Sequence, residues 1–411
     1  MKRLLAGFLF ATLATATDPV ALFSQIGVME KGLAEITGLR FTRPVPYALI
    51  NKDQLRRYIE DKVKETVKPA DLRGEELTLK LLGLVPQDFD LRKNTLDLLT
   101  EQAAAFYDYN KKKLFVLDDN GGPGADQELA LVHELAHALA DQHFPLAKYV
   151  SSNLRSDDAA TARQAVMEGQ ASWLMTAYIA RKSGAPAEVP DAILDLMAHA
   201  VENTPEQFPV LFQSPPYIRE SLVFPYSDGL LFQNALFKKL GRQAFSEVFL
   251  HPPVSTQQII HPDAYLARSA PRTPRPPPVP AAREFRTLME GTLGELDYRI
   301  LLAQYAGKET EALASHLVGS SYQVFEHKRG GHPVLSFAST WDTPESAAKY
   351  FDQYLRVLRG KWKKFEIESQ TSTRLEGRGD TGSFQVWIEG ATVNHLEGLA
   401  GDSGNPSRSG L

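Results

Sequence analysis

Apolar positions recur every three to four residues through "KDQLRRYIEDKVKETV" (Lys52 to Val67), with charges on the opposite face, and predict a helix. Around it, residues 20–110 read as mixed helix and loop. Helical periodicity resumes at Thr95. It then gives way to two short apolar runs, "AAAFY" and "KLFVL", on either side of Asp108-Tyr109-Asn110-Lys111. That change of period predicts a helix followed by a β-hairpin. The breaker-rich "NGGPGADQE" reads as a loop. A helix follows, with Asp126 as its N-cap and Pro145 marking its stop. A second long helical pattern runs from about Asp158 to Lys182 and ends at Gly184 and Pro186. A third, "DGLLFQNALFKKLG", starts after Asp228 and stops at Gly241.

"RSAPRTPRPPPVPAA" (Arg268 to Ala282) then interrupts the pattern. Six of its residues are proline, which predicts a stiff, extended linker. Beyond it, "SYQVFEH", "PVLSFAST", "KFEIES" and "GSFQVWIEGATVNHLEG" read as strands. "TPESAAKYFDQYLRVLRG" reads as a helix capped by Thr343 with Pro344 at N1, its aromatic positions forming the core face. The pattern therefore predicts an α+β chain. A mostly helical domain over residues 17–267 is joined by the linker, residues 268–282, to a smaller α+β domain over residues 283–400. Residues 401–411 form a polar tail. No repeat at a fixed period is present.

Composition narrows the function classes. The net charge is −5, from 45 Lys+Arg and 50 Asp+Glu, and no basic stripe interleaves with aromatics. That argues against a nucleic-acid partner. Lys2 and Arg3, the apolar stretch Leu4 to Leu13 and the small-x-small Ala14-Thr15-Ala16 predict a secretory signal peptide over residues 1–16. The mature chain would start near Thr17 and be secreted or periplasmic, with an uncleaved membrane anchor as the alternative. No other segment is apolar enough to span a bilayer. The chain has no cysteine, so any metal must be held by His, Asp or Glu.

The candidate chemistry lies in "LVHELAHALADQHF". His133 and His137 stand four residues apart, on one face of a helix, and both can aim a ring nitrogen at one point. Glu134 projects beside them, placed to take a proton from a metal-activated water. This is the H-E-x-x-H arrangement. Leu129, Val132, Ala136 and Leu139 would bury the other side of the helix. Zinc hydrolases take three protein ligands and keep one position open. Glu168, a lone carboxylate amid Ala165, Val166, Met167 and Ala171, is the leading third ligand, with His143 and Asp158 as rivals. Gly169 beside it would cost a mid-helix position about 1 kcal/mol against alanine, for which close approach of the helix carrying His133 and His137 is one reason. His143, His199 and His251 otherwise read as surface or loop histidines.

"HELAH", followed some thirty residues later by "EG" within a helix, resembles the gluzincin group of zinc metallopeptidases. "AAAFYDYNKKKLFVLDD", "ARQAVMEGQAS", "LVFPYSDGLLFQNAL" and "PPVSTQQIIHPDAY" extend the resemblance, over roughly residues 38 to 266, to a poorly characterised set of exported bacterial proteins. The resemblance implies a zincin-like catalytic domain in which His133, His137 and Glu168 hold Zn2+ and Glu134 is the general base. It also implies that the "FYDYNKKKLFVL" hairpin lines a peptide groove. Many gluzincins carry an acid four residues after the third ligand, to support a zinc histidine; here that position is Ser172. Asp141, Asp157 and Asp158 are the alternatives for that support. Such enzymes often steady the oxyanion with a tyrosine or histidine. Tyr226, read as lying just before the third helix, is the first candidate and His261 the second.

The expected activity is therefore hydrolysis of a peptide or protein substrate at its amide bonds. A non-catalytic binding or scaffold protein on the same fold is the alternative, and a hydrolase of some other amide a third. The intact Glu134 weighs against the scaffold, because a decayed site loses its base first.

Overall fold

The computed structural model describes residues 23–66, 68–102, 105–117, 125–151, 156–184, 189–201 and 204–400. The expected signal segment, the polar tail, Pro186, the residues of the "NGGPGADQE" loop up to 124 and the Asp126 side chain lie outside the described residues. The chain is α+β and divides into two compact units. The first gathers the described residues of Met1–Leu72, Asp90–Leu154 and Asp158–Ser269; the second gathers those of Arg73–Phe89, Arg155–Asp157 and Ala270–Leu411. Arg73–Phe89, which periodicity alone leaves in the helical domain, thus packs with the later part of the chain.

The first unit carries α1 (Ile26–Thr37), β1 (Tyr47–Ile50), α2 (Lys52–Thr66) and α3 (Leu91–Gln102). These are followed by β2 (Ala105–Asp108), β3 (Lys113–Leu117), α4 (Ala125–His143), α5 (Asp157–Lys182) and α6 (Pro216–Leu240). Its sheet has the order β1-β3-β2, with β1 parallel to β3 and β2 antiparallel to it. The hairpin turn forms where expected because the Asp108 carboxylate accepts the Asn110 and Lys111 amides at 2.8 and 3.0 Å. β1 has no hairpin signal: it joins the sheet by a nonlocal parallel pairing, which short-range patterning does not reveal.

Two helices of this unit differ from a simple amphipathic reading. α4 is buried nearly all round, its polar His133, Glu134, His137 and Asp141 as well as Leu131, Val132, Leu135, Ala138 and Leu139, so it is a core helix and not a surface one. α6 begins at Pro216, not after Asp228, and runs through Pro225. Proline inside a helix removes one i→i−4 hydrogen bond, and "FPYSDG" therefore looks like a boundary in sequence. The long buried face from Tyr217 to Leu236 holds the helix together across that point.

The second unit is a seven-stranded antiparallel sheet of β4 (Phe285–Gly291), β5 (Leu317–His327), β6 (Pro333–Trp341), β7 (Glu366–Gln370), β8 (Arg374–Gly379), β9 (Gly382–Glu389) and β10 (Thr392–Leu399). It also holds α7 (Glu295–Ala306) and α8 (Pro344–Lys361). Thr343 caps α8 as its sequence predicts, accepting the Ser346 amide. β4, α7 and β8 carry no pattern strong enough to be read in advance. The proline-rich segment is extended but not a free linker. Its carbonyls at Pro274 and Pro277 accept Ser321 and Ser336 hydroxyls at 2.6 Å, and Val279 packs with Val334 and Leu396. Proline carbonyls have no helical or strand partner of their own, so the sheet's serines supply one.

The interior of the second unit contains one buried, partnerless imidazole. His395 is fully buried, its ring 3.7 Å from Phe337 and 4.4 Å from Tyr354, and neither ring nitrogen has a hydrogen-bond partner among the described residues. Lys361 and Glu397 form a buried ion pair at 2.6 Å beside it, with Tyr350 and Tyr354 on the same side. Burial, and then the Lys361 charge, hold His395 well below the usual histidine value of 6.5. The neutral ring's contribution to stability is therefore complete above that value and is lost as pH falls towards the lower folded value. Stability of this unit should drop by about 1.4 kcal/mol per pH unit over that window. His395→Phe should flatten the acid limb of a denaturation-versus-pH curve, and an unchanged slope would refute the assignment.

Candidate metal centre

α4 and α5 bring together His133, His137 and Glu168, all buried. His133 Nε2 is 3.1 Å from Glu168 Oε2, His137 Nε2 is 3.3 Å from the same oxygen, and the two nitrogens are 3.1 Å apart. Three lone-pair-bearing atoms thus converge on one point. Among the described residues this is the group of three placed to hold a metal ion. Glu168 Oε1 is buried with no hydrogen-bond partner among the described residues.

Two backbones in contact make room for this. At Gly169 an added Cβ would lie 2.1 Å from the Gly229 carbonyl carbon, and at Gly229 it would lie 2.3 Å from the Ala165 oxygen. α5 and α6 therefore cross glycine on glycine, one residue from Glu168. Close approach explains the mid-helix glycine, but the approaching helix is α6 and not the expected α4.

The electrostatics follow from burial. Burial lowers both imidazoles; in His133 that wins, whereas in His137 the carboxylates of Glu168 and Glu134 outweigh it and the shift is upward. Burial alone would raise Glu168, but His137 and the hydrogen bonds from both histidines hold its carboxyl at about 2. The donor atoms are two histidine ring nitrogens and a carboxylate oxygen that its histidine neighbours keep ionised. Glu134 stands apart from the three donors. Burial, helped by the Glu168 charge, pushes its carboxyl up to about 8, against the pull of His137 and the Tyr107 amide. The Tyr107 N–H donates to Glu134 Oε2 at 2.7 Å.

The rivals for the third ligand lie elsewhere. His143 is exposed and bonds through Nε2 to the Arg40 carbonyl at 2.9 Å. Asp158 accepts the Thr256 amide and hydroxyl at 2.8 and 2.6 Å. The acids considered as supports for the histidines have other partners. Asp141 accepts the Tyr107 hydroxyl at 2.9 Å, the Leu146 amide at 2.9 Å and the Lys112 ammonium at 2.7 Å. Asp157 accepts the Tyr322 hydroxyl at 2.9 Å. Sequence proximity to the ligands does not fix which way a side chain on a helix points, so these alternatives could not be ranked from the sequence.

Tyr226 is brought to the site, though not from a helix entry. It lies within α6, buried, with its ring centroid 6.1 Å from that of His133 and the planes 25° apart. His261 sits at the junction between the short helices Thr256–Ile260 and Pro262–Leu266. Two residues of the hairpin were not singled out by sequence reasoning. Tyr107 touches Glu134 through its backbone, which no side-chain motif encodes. Tyr109, in the turn, has its phenol pushed up by burial and by the charges of Asp108 and Glu168. Comparison of the chain with protein-family models, with curated proteins and with solved structures found no match.

Proposed function

We propose that the chain is a zinc-dependent peptide hydrolase of the gluzincin type, with a zincin-like first unit. The observation that carries this is the donor triangle. A tetrahedral ion with bonds of about 2.0–2.1 Å holds its ligand atoms about 3.3 Å apart. The three donors of this chain are 3.1, 3.1 and 3.3 Å apart. Two imidazole nitrogens and a carboxylate oxygen are the donor chemistry zinc accepts, and a triangle leaves one coordination position open. Zinc held there would supply Lewis-acid polarisation of a carbonyl and of water.

The protein's own groups do the rest. Glu134 takes the proton of the attacking water as the water adds to the scissile carbonyl carbon, then passes that proton to the leaving nitrogen. The Tyr226 hydroxyl, carried by the ring beside His133, donates to the oxyanion that develops on the carbonyl oxygen. β2 is the outer strand of its sheet on the α4 side, and an extended peptide adds to it in the manner of a further strand. A signal segment over residues 1–16 would place the activity outside the cytoplasm.

The test is hydrolysis of a mixed peptide library by zinc-loaded protein, read by mass spectrometry beside a chelator-treated sample. Cleavage that needs zinc supports the reading. A sample holding one zinc per chain that cleaves nothing, across amide and peptide substrates alike, sinks it.

A further inference from the structure

Tyr107 grips α4 at two places. Its backbone N–H donates to Glu134 Oε2 at 2.7 Å, and its hydroxyl donates to Asp141 Oδ2 at 2.9 Å. Glu134 and Asp141 are seven residues apart, two turns along the same face of one helix. Asp141 is fixed in turn. Lys112 Nζ reaches both its oxygens at 2.7 Å, and the Leu146 amide donates to Oδ1 at 2.9 Å. Lys112 comes from the same hairpin as Tyr107, and its φ of 54° places it in the left-handed region at the turn. All of these side chains are buried except Lys112, which is partly exposed. A strand that only needed to pack on α4 could do so with an apolar side chain. This one uses a phenol, a buried carboxylate and an ammonium to fix the height of a single amide.

We propose that Tyr107 is a positioning residue for Glu134, an inference that rests on Glu134 being the base of the hydrolase. The phenol–Asp141–Lys112 lock sets the strand's register along α4, and the Tyr107 amide then holds one oxygen of the Glu134 carboxylate. That leaves Oε1 as the oxygen that takes and gives the proton. Without the lock the amide drifts, the carboxylate samples other rotamers, and the proton is out of reach for part of the time. Substrate binding and metal retention do not pass through this contact. A substrate strand added at β2 has to work around an amide already engaged, so the Tyr107 N–H contributes to the base and not to the peptide.

The experiment has two arms on the zinc-loaded full chain. In the first, residue-resolved hydrogen exchange follows the Tyr107 amide in the wild type and in Glu134→Ala. A bond to a carboxylate should slow exchange by about tenfold or more, and the variant should release it. Equal exchange in the two proteins overturns the proposal. In the second, Tyr107→Phe should lower kcat about tenfold with KM and zinc content unchanged. In a Glu134→Gln background the same substitution should change the residual rate by less than twofold, because residues that act through one group are not additive. A Tyr107→Phe that lowers both backgrounds equally, or that loses zinc, marks a merely structural tyrosine and overturns the proposal. If the wild type hydrolyses no peptide, the hydrolase reading fails on its own, and the exchange arm still decides whether Tyr107 holds Glu134.

Discussion

Glu134→Gln is expected to lower peptide hydrolysis by about 10²–10⁴-fold while leaving the metal in place. Glutamine keeps the size of the side chain and an oxygen to accept the Tyr107 amide, but it cannot take a proton. Glu134 is not one of the three donors, so zinc content should match the wild type. Stability should not fall. The carboxyl is buried and its charged form is already disfavoured there, so a neutral amide removes a burden and leaves no orphaned charge. Steady-state rates and metal analysis on the same preparations check this. A variant that keeps zinc and works within a few-fold of the wild type would show that the proton is carried elsewhere. The scaffold alternative predicts a different pattern, in which the wild type has no turnover to lose and partner binding is the same in both proteins.

Gly169→Ala is expected to weaken both the fold of the first unit and its hold on the metal. A methyl group at this position would lie 2.1 Å from the Gly229 carbonyl carbon, and backbone cannot swing aside as a side-chain tip can. α5 and α6 must separate, at a cost of about 3 kcal/mol from overpacking. Alanine's better helix propensity returns about 1 kcal/mol, which leaves a net loss near 2 kcal/mol. Because Glu168 is the preceding residue, the separation also moves a donor relative to His133 and His137. Zinc affinity should therefore fall about tenfold or more. Gly27→Ala provides the matched control: it is also helical, nothing lies within 4 Å of its added Cβ, and it should stabilise. Chemical denaturation and competitive zinc titration of the two variants give the comparison. Equal stability of Gly169→Ala and the wild type would contradict the crossing.

What could be read in the chain beforehand was local. His133, Glu134 and His137 are set by helical spacing alone, and Glu168 betrays itself as a carboxylate within an apolar stretch. The Asp108–Lys111 turn and the Thr343 cap depend on residues within three or four positions of each other. What escaped was set by partners distant in the chain. β1 pairs with a strand more than sixty residues later. The proline-rich segment is held by serines of β5 and β6. Pro225 looks like an end because the signal for continuation is the burial of the whole helix, not any residue near it. The same limit applies at the site. Asp141 stands one turn past His137, a position from which a carboxylate could support it, yet Tyr107 and Lys112 of the hairpin claim its carboxylate. Tyr107 itself acts through an amide that every residue but proline possesses, so its letter announces only the phenol.

The central claim is that His133, His137 and Glu168 form one metal centre, and it is most directly tested by the zinc content of the purified chain beside His137→Ala. The account predicts close to one zinc per chain after reconstitution and dialysis, and a loss of most of it when one of the three donors is removed. Wild-type protein that holds no zinc after reconstitution, or a His137→Ala variant that holds as much as the wild type, would contradict it.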